Sequence, residues 1–242
     1  MPSWHELSNW LPRLLHGLKY TVEITIGAFI IAVALGLIVA LMRLNTRPRV
    51  VYIVATGYVE VLRGTPLILQ LFFAYFALPS AGIAISPLAA GVIGLGLNTS
   101  AYLSEVFRGA IVGVDRGQYE AAEALGMSWP SMMRNAILPQ AMRAAIPPTG
   151  NYAVSLFKDS ALASTVSVSE LLFTGQVIGS ETFQYAQIYL VIAVLYLIVS
   201  YPTSLAIRKL ERRLERSYGG GQPHRRRKRS AMKISASSAE GE

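Results

Sequence analysis

Long apolar runs alternate with short polar interruptions along this chain. Five segments stand out, at about residues 20–42, 50–78, 87–112, 149–172 and 184–207. About 20 apolar residues suffice for a helix to cross the hydrocarbon core of a bilayer. The pattern therefore predicts an all-α membrane protein of about five transmembrane helices. The second and fourth segments are weak by hydropathy alone. The second is broken by Glu60, Arg63, Gly64 and Pro66, and the fourth carries Lys158, Asp159 and Glu170. The third carries Asn98, Ser100, Glu105 and Arg108. Charge facing lipid is costly, so these polar groups are expected to face protein or a water-filled path. Residues 1–19 are mixed polar, with Trp4, His5, Glu6 and Arg13. They read as an extracytoplasmic N-terminal segment. The first apolar run is too long for the core of a cleavable signal peptide.

Loop charge supplies an orientation. The loop after the first segment holds Arg43, Arg47 and Arg49, and the loop after the third holds Arg116, Arg134 and Arg143. The C-terminal end holds Arg208, Lys209, Arg212, Arg213 and Arg216. Residues 79–87 and 173–183 hold no Lys or Arg. Positive loops stay in the cytoplasm, so the N-terminus is expected outside and the C-terminus in the cytoplasm. The membrane-spanning body covers 20–216, and 217–242 reads as a disordered basic cytoplasmic tail. That tail reads as solvated, or as a segment that binds anionic lipid headgroups.

Composition agrees with the hydropathy pattern. Of 242 residues, 52% are hydrophobic and 15% charged, with mean hydropathy +0.42. Soluble domains carry about 25% charged residues. The net charge of +8 suggests nucleic acid until it is mapped, because eleven of the 22 Lys and Arg lie within 208–233. Cysteine is absent, which excludes disulfides and thiolate metal sites. His5, His16 and His224 lie outside the spans and form no metal-ligand cluster. No nucleophile-elbow pattern is present, so enzyme chemistry has no positive support.

The longest polar interruption, residues 115–143, reads DRGQYEAAEALGMSWPSMMRNAILPQAMR. It predicts two short helices joined by a turn. Asp115 and Glu120 lie early, where a carboxylate meets the positive end of a helix. Gly126 is placed to close the first helix in a left-handed conformation. Ser128 and Pro130 look like the start of a second helix. Pro139 is expected to interrupt the next segment, and Pro147 and Pro148 precede the fourth span. By itself the pattern fits either a surface hairpin or a docking knuckle for a soluble partner.

Glu120, Ala121, Ala122 and Gly126, then Ala136, Leu138 and Pro139, resemble the Glu-Ala-Ala, glycine and Ile-x-Leu-Pro motif of ABC importer permeases. Ala136 stands where that family usually has isoleucine. Residues 58–79, 97–111 and 156–164 are similar to permeases for polar amino acids of the histidine/glutamine type. The resemblance covers about residues 17–211. It implies that residues 115–143 form short cytoplasmic coupling helices between spans 3 and 4, docking on a cytoplasmic ATPase dimer. Glu120, Ala121, Ala122, Gly126, Leu138 and Pro139 would carry that contact. It further implies a second permease subunit in a homo- or heterodimer, an extracytoplasmic solute-binding protein, and the multi-pass cell membrane of a prokaryote. ATP and Mg²⁺ would be bound by the partner ATPase. A phosphate-cradling loop ends in Gly-Lys-Ser/Thr, and Lys19, Lys158, Lys209, Lys228 and Lys233 all come after residues other than glycine. The implied function is transport of polar amino acids or related zwitterions. A compatible solute is the alternative ligand, and a passive channel or an assembly scaffold are the rival classes.

Depth and spacing point to candidate path residues. Asn98, Tyr102 and Glu105 share a helical stripe, and Ser100 lies beside them. Lys158 and Asp159 offer both signs to a zwitterion, or form a buried pair that locks helix packing. Glu60 with Arg63, and Glu105 with Arg108, are three apart and are placed to pair locally, with the break after Glu60 and Arg63 expected at a membrane boundary.

Overall fold

The computed structural model describes residues 4–44 and 48–218; Arg47 and the expected tail from residue 219 onward lie outside it. The described residues form helices α1 (Trp4–Leu44), α2 (Arg49–Gly64), α3 (Leu67–Phe72), α4 (Pro87–Val112), α5 (Arg116–Ala124), α6 (Trp129–Met132), α7 (Leu138–Asp159), α8 (Leu171–Thr182) and α9 (Tyr185–Tyr218). Short π-helical turns precede α7 and follow α3, and 3₁₀ turns cover Leu78–Ala81 and Ser160–Val166.

Two helices are each long and apolar enough to cross a membrane, over Glu6–Leu44 and Tyr185–Leu214. Two bent pairs qualify when taken together: α2 with the segment through Ala81, bent by 108°, and Trp129–Val166 with α8, bent by 51°. Helix α4 is not among them, although its bounds match the expected third span. The reason is position. It packs along α1, α2, α3 and α7, and its buried positions include Asn98, Thr99, Ser100, Ser104 and three glycines. A helix enclosed by other helices needs small surfaces and satisfied polar groups more than lipophilicity.

Helices α1 and α4 approach closely at glycine. A Cβ built on Gly36 would meet the Ser100 carbonyl oxygen at 3.1 Å and Leu103 Cβ at 3.0 Å. Gly36→Leu is expected to cost about 1–3 kcal/mol through overpacking and to lower the melting temperature in detergent. Gly57→Ala, with open space around the new Cβ, serves as the neutral or stabilising control.

The first helix begins at Trp4 and not near Tyr20. The mixed-polar residues before the first apolar run are helical because the rest of the chain satisfies them. Trp10 and Leu14 are buried with Leu171, Ile178 and Ile188. Arg13 forms a two-pronged ion pair with Glu181 at 2.6 and 2.9 Å, and Gln184 donates to Glu6 at 2.6 Å. Glu170 is fully buried and caps α8, accepting from the Leu172 and Phe173 amides at 3.0 and 2.7 Å. Its Oε2 also accepts from Thr21 of α1 and Tyr196 of α9. One carboxylate thus joins three helices, with the helix dipole favouring its charge.

The break between α2 and α3 lies level with the middle of α4. Asn98 Nδ2 donates to the Leu62 carbonyl at 3.0 Å and to Gln70 Oε1 at 3.1 Å. Gln70 Nε2 donates to the Leu62 and Thr65 carbonyls at 2.8 and 3.1 Å. Pro66 ends α2's hydrogen bonding, and these two amides satisfy the carbonyls the break leaves free.

Candidate functional site

The knuckle between α4 and α7 is built from local rules. Asp115 caps α5 by accepting from the Gly117 amide at 2.8 Å. At the other end Gly126 has φ +67°. Its amide donates to the Glu123 carbonyl at 2.9 Å, and the Met127 amide donates to the Ala122 carbonyl at 3.1 Å. That pair of bonds is the Schellman closure of a helix. Ser128 occupies the cap position of α6, but its side chain makes no cap bond; Pro130 sits in the first turn.

The second knuckle helix is not a separate short element. From Trp129 the chain runs on through a π-helical turn, Met133–Ile137, directly into α7. The expected interruption at Pro139 does not occur. A proline ring crowds the carbonyl four residues back, here Asn135, which lies inside the wider π turn. The turn absorbs the proline, so the helix continues. Pro147 and Pro148 likewise lie inside α7.

The motif residues divide by side. Glu120, Ala121, Gly126 and Pro139 are exposed. Ala122 is buried with Ile111, Met132, Met133, Ile137 and Ala141, and Ala136 and Leu138 pack partly against that cluster. Glu120 pairs with Arg116 at 3.0 Å on an open surface, a contact that adds little stability. Tyr119 donates to the Ile111 carbonyl at 2.8 Å, and Gln140 to Gln118 at 2.9 Å, which anchors α5 to α4 and α7. Leu125 is 80% exposed and Trp129 49% exposed. These two flank the Gly126 turn, and motif reasoning misses them. The available signal is that an apolar side chain comes after α5's last alanine and a tryptophan starts the next helix, in the one strongly polar stretch.

The expected path residues fall into separate groups. Ser100 Oγ lies 2.6 Å from the Tyr58 hydroxyl, and Asn98 serves the α2–α3 break. Tyr102 faces Tyr152 of α7, ring centroids 6.1 Å apart, and the Arg63 guanidinium carbon lies 5.3 Å from the Tyr102 centroid. Glu105 is held by arginines from three helices. Arg43 of α1 bonds its Oε1, Arg108 of α4 bonds Oε2 at 2.8 and 3.1 Å, and Arg63 of α2 stands 3.7 Å from Oε1. The expected Glu60–Arg63 pair does not form, because Arg63 turns toward Tyr102 and Glu105 while Glu60 is exposed. Lys158 and Asp159 are both exposed, so they are not a buried lock between helices, and among the described residues no ion pair joins them to the Arg63–Tyr102–Glu105 group.

A helical bundle with long apolar helices, buried polar side chains and close small-residue contacts is the architecture of an integral membrane protein. Comparison with known proteins makes this specific. Residues 32–216 match the model for the binding-protein-dependent transport system inner membrane component, and the chain belongs to that family. It is 40% identical over 210 residues to the L-cystine transport system permease protein TcyB of Bacillus subtilis, covering 86% of this chain and 89% of that one. It is 36% identical over 217 residues to the glutamine transport system permease protein GlnP of Escherichia coli, covering 88% and 97%. The solved structure of an amino acid ABC transporter with histidines aligns with TM-score 0.82 at 36% identity, over 88% of this chain and 99% of that one. An inward-facing MetNI methionine ABC transporter shares the fold, with TM-score 0.72 at 22% identity over 84% and 96%. The chain is thus a permease subunit that forms a translocation path in an importer, a transport component and not itself a catalyst.

Proposed function

We propose that this permease carries polar amino acids or closely related zwitterions, driven by ATP that a separate ATPase pair binds with Mg²⁺. In this reading the chain crosses the membrane five times, and the positive loops support an N-terminus outside with the knuckle and C-terminus in the cytoplasm. A second permease subunit completes the path, and an extracytoplasmic binding protein delivers the substrate. The observation that carries this reading is the knuckle: a rigidly capped helix and turn that leave Glu120, Ala121, Leu125, Gly126 and Trp129 outward. Leu125 is 80% exposed on that surface, and burying it against a partner would contribute about 1.5–3 kcal/mol. ATP binding would draw the two ATPases together and move the knuckles with them. Alternating access then arises because each ligand binds one state better. Asn98, Ser100, Tyr102, Glu105, Lys158 and Asp159 are proposed for the path, with Glu105 acting through the arginines it holds.

The test is reconstitution in vesicles with the ATPase and binding protein and a panel of radiolabelled L-amino acids. ATP-dependent uptake of an amino acid is expected, with ATP hydrolysis stimulated by that same amino acid. Uptake that ignores ATP supports a passive channel. Unstimulated hydrolysis without uptake supports a scaffold, and uptake of a compatible solute alone changes the substrate class.

A further inference from the structure

The cluster around Glu105, where α1, α2 and α4 meet, holds one carboxylate and three guanidiniums, an excess of two positive charges. Two of the three arginines are consumed by Glu105: Arg43 on Oε1, and Arg108 on Oε2 through both Nε and Nη2. The third is not. Arg63 lies at 3.7 Å, beyond hydrogen-bond length, with its guanidinium against the Tyr102 ring and 41% of its side chain exposed. Arg43 adds a second sign of unmet demand. Its side chain is only 9% exposed, and its buried Nε has no hydrogen-bond partner. A nearly buried arginine with an idle donor is expensive, and a guanidinium fork matches a carboxylate in shape and charge.

Depth adds to this demand. Arg63 is the second-last residue of α2, at the 108° break. That break is level with the middle of α4, since Asn98 bonds the Leu62 carbonyl. Discontinuous helices present polar groups to the substrate in other membrane transporters, and here the discontinuity carries a cation that no carboxylate fully engages.

We propose that Arg63, backed by Arg43 and stacked on Tyr102, is the subsite that binds the α-carboxylate of the transported amino acid. This rests on the amino-acid reading above. Glu105 holds Arg43 and Arg108 away from the ligand and leaves Arg63 as the free fork. It also lowers the cluster's charge enough for the carboxylate to leave again. Tyr102 is a positioning residue, because its ring fixes the guanidinium plane.

The experiment measures equilibrium binding to the permease–ATPase complex without the binding protein, so that the permease alone supplies the site. The probe is the radiolabelled L-amino acid that the complete wild-type system takes up fastest. Wild-type complex is expected to bind this probe, and to bind the amine lacking its carboxylate at least about tenfold more weakly. Arg63→Gln is expected to weaken the amino acid by about tenfold and to leave the amine unchanged. Arg63→Lys, which keeps the charge without the fork, is expected to fall between. Equal affinities for amino acid and amine in the wild type overturn the subsite without any variant. So does an unaltered affinity in a folded Arg63→Gln complex. Sulfate binding that is lost in Arg63→Gln while amino-acid affinity stays unchanged assigns the site to a free anion and also overturns it. If the complete wild-type system takes up no amino acid, the substrate class itself fails; if it does but the complex binds none, only the subsite fails.

Discussion

Gly126→Val is expected to reduce ATP-dependent uptake by at least about tenfold while membrane insertion survives. Gly126 holds φ +67°, a region that costs an ordinary residue about 1–2 kcal/mol and suits a β-branched one worst. A Cβ there meets no atom within 4 Å, so the penalty is carried by the backbone of the turn and not by core packing. The turn sets where Leu125 and Trp129 point. Shifting it spoils the outward surface and spares the helical bundle. Glu120→Lys is the companion variant. Its single partner, Arg116, is itself exposed, so charge reversal barely alters stability but inverts the charge a partner meets. Ala122 would not discriminate in the same way, because it is buried and any larger side chain there disturbs the fold. Uptake by reconstituted vesicles, read beside co-purification of the ATPase, decides the matter. Wild-type uptake with the ATPase retained in both variants would remove the knuckle from coupling.

Glu105→Gln is expected to produce the largest loss of stability, about 3–5 kcal/mol, because it leaves three arginines together without their carboxylate. Arg43 bears most of this, being nearly buried. Thermal melting of the purified complex reads the effect. The double variant Glu105→Gln with Arg43→Met is expected to recover much of it, since the uncompensated buried charge is gone. A single-variant loss below about 1 kcal/mol, in the range of exposed pairs, would show that Glu105 is no clamp.

Legibility along the chain depends on the range of the forces involved. The knuckle is readable because its determinants are adjacent in sequence: Asp115 caps, Gly126 closes and Pro130 starts. Helix α4 is readable to the residue because Ser86 caps it and Pro87 opens it, with the Ala89 amide bonded to Ser86 Oγ at 3.2 Å. The extension of the first helix back to Trp4 is not legible locally, because polar side chains there find partners at positions 181 and 184, far beyond any local window. Arg63 misleads for the same reason. Helical spacing favours Glu60, but the cluster at Glu105 offers a deeper charge and an aromatic face. Pro139 misleads because a proline reads as a stop, whereas a widened turn makes room for it.

The unbroken run from the knuckle into α7 has a mechanical consequence. Trp129 and Tyr152 lie on one helical rod, 23 residues apart, or about 35 Å at 1.5 Å per residue. A tilt of about 5° at the Trp129 end swings the far end by roughly 3 Å over that length. Tyr152 abuts the ring on which Arg63 rests. A nudge of a few degrees by a neighbour outside the bilayer is thus amplified into a displacement the size of a hydrogen bond beside that arginine, with no wire of side chains needed between the two.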